Sequence, residues 1–306
     1  MPSAREMRLR IRSVKNIAQV TRALEAVSAS RVRRAQQATL ATRAYAAKAW
    51  EVLNHLAGEP LEGKILHPLL AVRPEIRALT AVFVSGDRGL AGAYNTNMVR
   101  AAMNFAKSQT APIRWITVGR KGRDLLLRRR QNIVADFSQR LSAAPLVREV
   151  LPIARAAIDD FLAGRADEVV LIYSDFVNTL VQQPAVKRLL PIVPGLAAGE
   201  PISDHVETHG ALKKYVYIYE PSPEGILDVV LPRFTELQIY QAILESLASE
   251  HSARMVAMRN ATDNANELVE NLRLTYNKAR QQSITNDLLD IAGGAEALAQ
   301  ARASAA

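Results

Sequence analysis

Residues 240–272 read YQAILESLASEHSARMVAMRNATDNANELVENL, and no proline or glycine interrupts the chain between Pro232 and Gly293. Within this stretch Tyr240, Leu244, Leu247, His251, Arg254, Met258, Ala261, Ala265, Leu268 and Leu272 recur at alternating steps of four and three, which is the seam of a coiled-coil helix. The frame then shifts to Ile284, Leu288, Ile291, Ala295 and Leu298. A second such stretch lies at the other end, between Pro2 and Gly58, with a seam through Val14, Ile17, Thr21, Leu24, Ser28, Arg31, Ala35, Ala38, Thr42, Tyr45, Ala49, Val52 and Leu56. A helix filling either stretch would be about 80–90 Å long, several times the usual globular helix. Two seams, one per terminus, predict a long antiparallel coiled coil of N- and C-terminal helices. The frame shift predicts that the last turns run beyond the partner helix and offer their apolar face to something else.

Between these stretches the pattern changes to β-branched apolar runs alternating with helical periods. Strands are expected at Thr80–Ser85, Ile113–Val118, Ile133–Phe137 and Val169–Phe176, with helices near Asn95–Lys107, Lys121–Arg130 and Leu146–Ala163. Leu180–Val193 and Tyr215–Val230 read as a hairpin-like return into the last helix. Strand–helix alternation of this kind builds a mainly parallel sheet. The expected fold class is therefore α/β, with the coiled coil set on a Rossmann-like α/β domain. The expected division is 1–57 for the first helix, 58–75 for a linker, 76–231 for the α/β body and 232–306 for the last helix.

Composition narrows the function. A 49% hydrophobic content excludes a disordered chain, and 5% aromatics with 14 Gly and 14 Pro in 306 residues argue against a sandwich of short turn-linked strands. No cysteine is present, so disulfides, thiolate catalysis and Cys-ligated zinc are ruled out. No apolar run has the length of a membrane span, and the first residues turn basic where a secretory signal would be apolar, so the mature protein is expected to start here. The net charge of +9 is concentrated at the N-terminus, where residues 1–57 hold 11 Lys and Arg against 3 Asp and Glu. A basic segment of this kind suits nucleic acid, anionic lipid or an acidic protein surface.

Two local patterns resemble sites. Ser85-Gly86-Asp87-Arg88-Gly89-Leu90-Ala91-Gly92 joins an apolar strand to a helix, where a phosphate-binding loop would lie. It lacks both the Gly-x-Gly pair and the Lys-Ser/Thr of the phosphate-binding fingerprints, and a structural turn presenting Arg88 to a partner accounts for it better. His205 and His209 stand four apart, but between Pro201 and Gly210 they read as a loop without a third ligand, so no metal and no cofactor are expected. The runs Arg31-Val32-Arg33-Arg34 and Arg128-Arg129-Arg130 lack aromatic interleaving, which disfavours nucleic acid. No catalytic constellation stands out.

The chain resembles the gamma subunit of F-type ATP synthases over almost its whole length. Arg12-Ser13-Val14-Lys15-Asn16 with Thr21-Arg22-Ala23-Leu24-Glu25-Ala26-Val27-Ser28-Ala29-Ser30-Arg31 is similar to the family's opening helix, which often has Lys-Ala-Met and Ser-Lys where this chain has Arg22-Ala23-Leu24 and Ser30-Arg31. The Ser85–Gly92 stretch resembles the family's Ser-Asp-Arg-Gly-Leu-Cys-Gly loop, with Ala91 in place of the frequent Cys. Asn178-Thr179, Gln183-Pro184, Leu189-Leu190-Pro191 and Tyr217-Ile218-Tyr219-Glu220-Pro221 fit the middle of the family. The strongest likeness runs through Arg254-Met255-Val256-Ala257-Met258, Ala261-Thr262-Asp263-Asn264, Tyr276-Asn277-Lys278-Ala279-Arg280-Gln281 and Ser283-Ile284-Thr285.

That resemblance implies a central-stalk rotor, a subunit with no catalytic site of its own that couples rotation of the membrane c-ring to ATP synthesis or hydrolysis at the alpha/beta head. The partners it implies are three alpha and three beta subunits, the epsilon subunit and the c-ring, around one copy of this chain held at the cytoplasmic face of a bacterial cell membrane. Absence of Cys and of an added segment after the central strands argues against the redox-regulated chloroplast form. Arg280 and Gln281 match the family's contact with a beta-subunit loop, and Tyr217, Tyr219 and Glu220 its contact with the c-ring. Arg31, Arg33, Arg34 and Arg88 are expected to face an acidic helix-loop of the beta subunits. Two competing readings are a nucleotide-binding α/β enzyme using the Gly86–Gly92 loop and a basic coiled-coil protein that binds nucleic acid.

Overall fold

The computed structural model describes residues 4–58, 67–193 and 223–304. Two helices dominate it, α1 (Ala4–Gly58) and α5 (Pro223–Ser304). Residues 223–230 were expected in an extended return and are instead the first turns of α5; residues 215–222 lie outside the described residues. Pro223 opens the helix, where its missing N–H costs nothing. Pro232, expected at the helix start, lies inside it and removes one interior hydrogen bond. Leu227, Leu231 and Phe234, at helical spacing and almost wholly buried, offset that loss. At the other end α5 continues through Gly293 and Gly294.

The chain divides into two compact units, Met1–Ala26 with Ala257–Ala306, and Val27–Val256. In the first, α1 and α5 pair antiparallel. Arg8 Nη2 donates to Tyr276 Oη at 2.8 Å, Thr21 and Thr262 hydroxyls meet at 2.6 Å, and Arg259 Nε donates to Glu25 Oε1 at 2.9 Å. The residue numbers in each pair add to 283 or 284, so the register is constant. By that register Ala4, the first residue described in α1, stands opposite residue 280. From Gln281 through Ala295 every described α5 side chain is exposed.

The buried seam here is Met7, Ala18 and Thr21 against Met258, Thr262, Ala265 and Val269. Ile17 and Leu268, assigned to the seam from sequence, are 53% and 47% exposed, and their neighbours Ala18 and Val269 replace them. A three-four alternation has two phases that share every seventh residue. Close approach of two helices selects the phase with the smaller side chains.

In the second unit the sheet order is β3-β2-β1-β4-β5, from β1 (Leu79–Val84), β2 (Ile113–Val118), β3 (Ile133–Asp136), β4 (Glu168–Phe176) and β5 (Gln182–Leu190). The first four are parallel and β5 is antiparallel to β4. Helices α2 (Tyr94–Ser108), α3 (Arg120–Arg128) and α4 (Val147–Leu162) are the crossovers. Every residue of β1 is buried, as a central parallel strand covered on both faces must be. Ala81 and Phe83 face α2 in one core with Trp115, Met98 and Leu126. Val82 and Val84 face the other core, with α4, with Ala46, Trp50 and Leu53 of α1, and with Phe234 and Ile243 of α5. Trp50 stacks on Phe234 at 5.7 Å, and Gln241 Nε2 donates to Thr42 Oγ1 at 3.3 Å. Tyr45, given to the seam by sequence, is 57% exposed, and Ala46 is buried in its place.

Candidate functional site

Where β1 neighbours β4, the chain's crossovers lead to opposite sides of the sheet. In doubly wound folds the crevice beyond the carboxyl ends of two such strands is where ligands bind. Here α5 fills it. Ser174 of β4 donates its N–H to Ser246 Oγ at 3.0 Å and accepts from Ser249 Oγ at 3.3 Å. Ser252 Oγ donates to Thr179 O at 2.7 Å, and buried Tyr94 Oη donates to Ser246 O at 3.2 Å. Serines at steps of three thus fasten one face of a helix to a strand end.

The Ser85–Gly92 loop leaves β1 and closes on the same helix. The polar groups of Ser85, Gly86 and Asp87 are already committed within the fold. Gly86 N–H donates to Asn95 Oδ1 at 3.0 Å, and Asn95 Nδ2 donates to Arg88 O at 3.2 Å. Asp87 Oδ1 accepts the backbone N–H of Arg120 at 2.8 Å and of Gln139 at 3.1 Å. A carboxylate therefore occupies the N-terminus of α3, the position a phosphate would favour. Ser85 Oγ accepts from Gly122 N at 3.0 Å, and a Cβ at Gly119, which has φ +106°, would lie 2.0 Å from Ser85 O. A Cβ at Gly86 would come within 2.9 Å of both Asn95 Oδ1 and Glu250 Cδ, so glycine serves close packing against α5.

Glu250, His251 and Arg254 are the α5 residues beneath the loop, all buried. Arg254 Nη2 is paired with Glu250 Oε1, its Nε donates to Gly89 O at 3.3 Å, and its Nη1 lies 3.0 Å from His251 Nδ1. Burial holds the Glu250 carboxyl above its ordinary range, with Arg254 pulling the other way. Burial, then Arg254 and Arg31, push His251 down to about 3, so its imidazole is neutral. Burial and the nearby Glu250 push the Tyr94 hydroxyl far above its usual value. Sequence reasoning placed His251 only as a seam position and Arg254 as a seam position within the family likeness, and did not single out Glu250 or Tyr94. The available signal was a Glu–Arg pair at i and i+4 on a seam that otherwise turns inward.

Of the residues expected to form a site, Arg31 and Arg88 come together at a cleft of about 300 Å³ that is also lined by Arg120, Glu250, His251 and Arg254. Arg33 and Arg34 are exposed and do not line it; Arg34 Nη2 reaches Ser30 Oγ on its own helix at 3.3 Å. Arg280 and Gln281 are exposed on α5. Tyr217, Tyr219 and Glu220 lie outside the described residues, as do His205 and His209. Among the described residues no helix is long and apolar enough to cross a membrane.

Comparison with known proteins agrees with this architecture. The family described as ATP synthase matches residues 3–298. The ATP synthase gamma chain of Roseiflexus castenholzii is 50% identical, with 98% of this chain and 100% of the relative covered. That of Dehalococcoides mccartyi is 47% identical, again over 98% and 100%. Among solved structures, the Euglena gracilis mitochondrial ATP synthase (OSCP/F1/c-ring) has a chain of like fold, with a TM-score of 0.60 at 21% identity, covering 96% of this chain and 94% of that one. A chain of the central stalk/c-ring of the Tetrahymena thermophila mitochondrial ATP synthase gives a TM-score of 0.56 at 22% identity, over 79% and 99%. The full-length match at about half identity settles membership: this chain belongs to the family of ATP synthase gamma chains.

Proposed function

We propose that the chain is the central-stalk rotor of a bacterial proton-translocating F-type ATP synthase, turning with the membrane c-ring and biasing the catalytic alpha/beta head. The observation that carries this reading is the crevice where an α/β enzyme would take its ligand. It is filled by α5 and sealed by Ser246, Ser249 and Arg254, so the body is built to grip a helix. A rotor needs such a grip, because torque applied to the body must reach the helix without slip.

On this reading α1 (from the expected 1–57) and the later part of α5 form the shaft inside three alpha and three beta subunits. The expected 76–231 body sits on the c-ring beside epsilon, peripheral to the cytoplasmic face of the cell membrane, with one copy per complex. The chain carries no catalytic site of its own and no cofactor. Arg280 and Gln281 act as an angle-dependent latch on a beta-subunit loop, where a guanidinium fork pairs bidentately with a carboxylate. Tyr217, Tyr219 and Glu220 form the foot on the c-ring. Arg31, Arg33, Arg34 and Arg88 contribute a diffuse, salt-screened attraction to an acidic beta-subunit loop. Exposure of Arg33, Arg34, Arg280 and Gln281 is compatible with these contacts. Each angle of an asymmetric shaft then favours a different state of each beta subunit.

The test is reconstitution of the chain with alpha and beta subunits immobilised on a surface and a bead attached to the body. ATP should drive rotation in one direction. A head that hydrolyses ATP at full rate while the bead stays still overturns the rotor reading.

A further inference from the structure

The paired part of α1 and α5, within Met1–Ala26 and Ala257–Ala306, has two unlike sides. The register that joins Thr21 to Thr262 also sets Ala18 against Ala265 and Val14 against Val269 along the seam. Antiparallel partners are related by a local twofold axis that points out through the groove between them. Matching positions of the two helices therefore lie on the same side of the pair. Ile17 precedes Ala18 and Leu268 precedes Val269, so these two stand together on one side, 53% and 47% exposed. Val20, 59% exposed and one turn on from Ile17, extends the patch, with half-buried Leu24 and Ala261 beyond it. Ser13 and Asn264 complete this side, and it holds no charged residue along that length.

The opposite side is made by the residues that follow Met7, Val14, Thr21, Met258 and Leu272, which are Arg8, Lys15, Arg22, Arg259 and Arg273. Two bonds fix its place, from Arg8 to Tyr276 Oη and from Arg259 to Glu25 Oε1. Lys15, Arg22 and Arg273 are exposed and make no ion pair among the described residues. Ile17 and Leu268 thus belong to an outer apolar strip, and the shaft carries cations on the side facing away from it.

We propose that these two sides decide the angles at which the shaft rests in the head. The side of Ile17, Val20 and Leu268 seats on one uncharged apolar segment of the surrounding subunits, and the side of Lys15, Arg22 and Arg273 faces carboxylates on the opposite wall. This rests on the rotor reading and adds the residues through which the shaft's asymmetry is felt. The segment over Ile17 and Leu268 is uncharged, because a charge placed there would lose water without gaining a partner. Three half-exposed side chains make a contact small enough to be released at each step. Salt leaves an apolar contact largely intact and screens an exposed charged one, so the two sides can be told apart.

The experiment uses the full chain in the bead assay, with the head reconstituted from alpha and beta subunits. It counts how often a paused bead hops to a neighbouring resting angle when ATP is scarce. Salt is set at about 0.1 M and then about 1 M, which shortens the Debye length from about 10 Å to about 3 Å. Ile17→Gln with Leu268→Gln should raise hopping about fivefold or more at both salts. Ile17→Leu with Leu268→Ile, equally apolar, should hop as wild type does. Lys15→Gln with Arg273→Gln should raise hopping about two- to fivefold at the lower salt only. Wild-type hopping by the first variant, or an equal excess from the apolar pair, overturns the apolar contact. An excess for the Lys15 and Arg273 variant that high salt leaves intact overturns the screened one. A bead that never rotates even with the unchanged chain overturns the rotor reading itself, and this inference with it. All the substituted positions are exposed, and urea unfolding of the isolated chains checks that the fold is kept. If the first variant fails to fold, Val20→Gln replaces it on the same side, with the same expectation.

Discussion

Thr21 and Thr262, one on each long helix, share a hydroxyl–hydroxyl hydrogen bond of 2.6 Å at a buried seam position. Each hydroxyl also has a carbonyl of its own helix in reach, Ala18 O at 3.1 Å and Met258 O at 2.9 Å. One proton of the pair crosses between helices and the other turns back. A single Thr→Val change leaves the partner hydroxyl with one fewer acceptor or donor in a dry seam, and should cost about 1–2 kcal/mol. The double Thr21→Val, Thr262→Val variant should cost clearly less than the two singles added, since both polar groups then leave together. Urea unfolding of the four proteins measures the coupling, and strict additivity would mean the two hydroxyls act independently.

Three glycines around the loop should rank in a fixed order when changed to alanine. At Gly119 the new Cβ would sit 2.0 Å from Ser85 O with φ at +106°, and two backbones would have to part. We expect a loss of about 3 kcal/mol or more there. At Gly86 the nearest atoms belong to the Asn95 and Glu250 side chains at 2.9 Å, which can shift, so a loss of about 1–2 kcal/mol is expected. Gly89 has nothing within 4 Å, and Gly89→Ala should stay within about 0.5 kcal/mol of wild type. Melting curves of the three variants check the order. A large loss at Gly89 with none at Gly86 would mean that the loop does not close on α5.

Most of the body was readable because its signals are local. Ile113–Val118, rich in β-branched and aromatic residues, is a strand from end to end as expected, and the Leu180–Val193 return contains β5. The seam phase was not readable at Ile17 and Tyr45. Side-chain bulk and apolar area favour these over Ala18 and Ala46, whereas the packed helices bury the alanines. The grip on α5 was also hidden. Ser246, Glu250 and His251 acquire meaning only when Ser174, Gly86 and Gly89, distant in sequence, are brought beside them.

His251 makes stability depend on pH. Its ordinary value of 6.5 applies to the unfolded chain, while the folded value is lowered to about 3. A base with a lowered folded value contributes stability that is complete above 6.5 and is lost as pH falls toward 3, at most about 1.4 kcal/mol per pH unit. His67, also lowered by burial, acts in the same direction. Glu250 acts oppositely, because its raised folded value makes its contribution fall as pH rises. The informative quantity is therefore the difference between wild type and His251→Gln. That difference in unfolding free energy should shrink by about 1–2 kcal/mol between about pH 6.5 and pH 5. A difference that stays flat would show that His251 titrates alike in the folded and unfolded chains.

The end of α5 supplies the last expectation. Arg8 pairs with Tyr276, and by the same register α1 has no described residue opposite positions beyond 280. Ile284, Leu288 and Ile291 come next at helical spacing and are 51%, 62% and 70% exposed. An apolar stripe with no cover among the described residues contributes little to the fold of the chain that carries it, and much to whatever surrounds it. Removing residues 282–306 keeps Arg280 and Gln281 and discards only that stripe and the residues beyond it. The shortened chain should unfold within about 0.5 kcal/mol of the full one. In reconstitution with alpha and beta subunits it should form a complex that dissociates faster than the full-length one, the excess reflecting apolar area no longer buried against the head. A large drop in the stability of the isolated chain would show that the stripe packs against its own molecule. Unchanged dissociation would show that the head does not bury it.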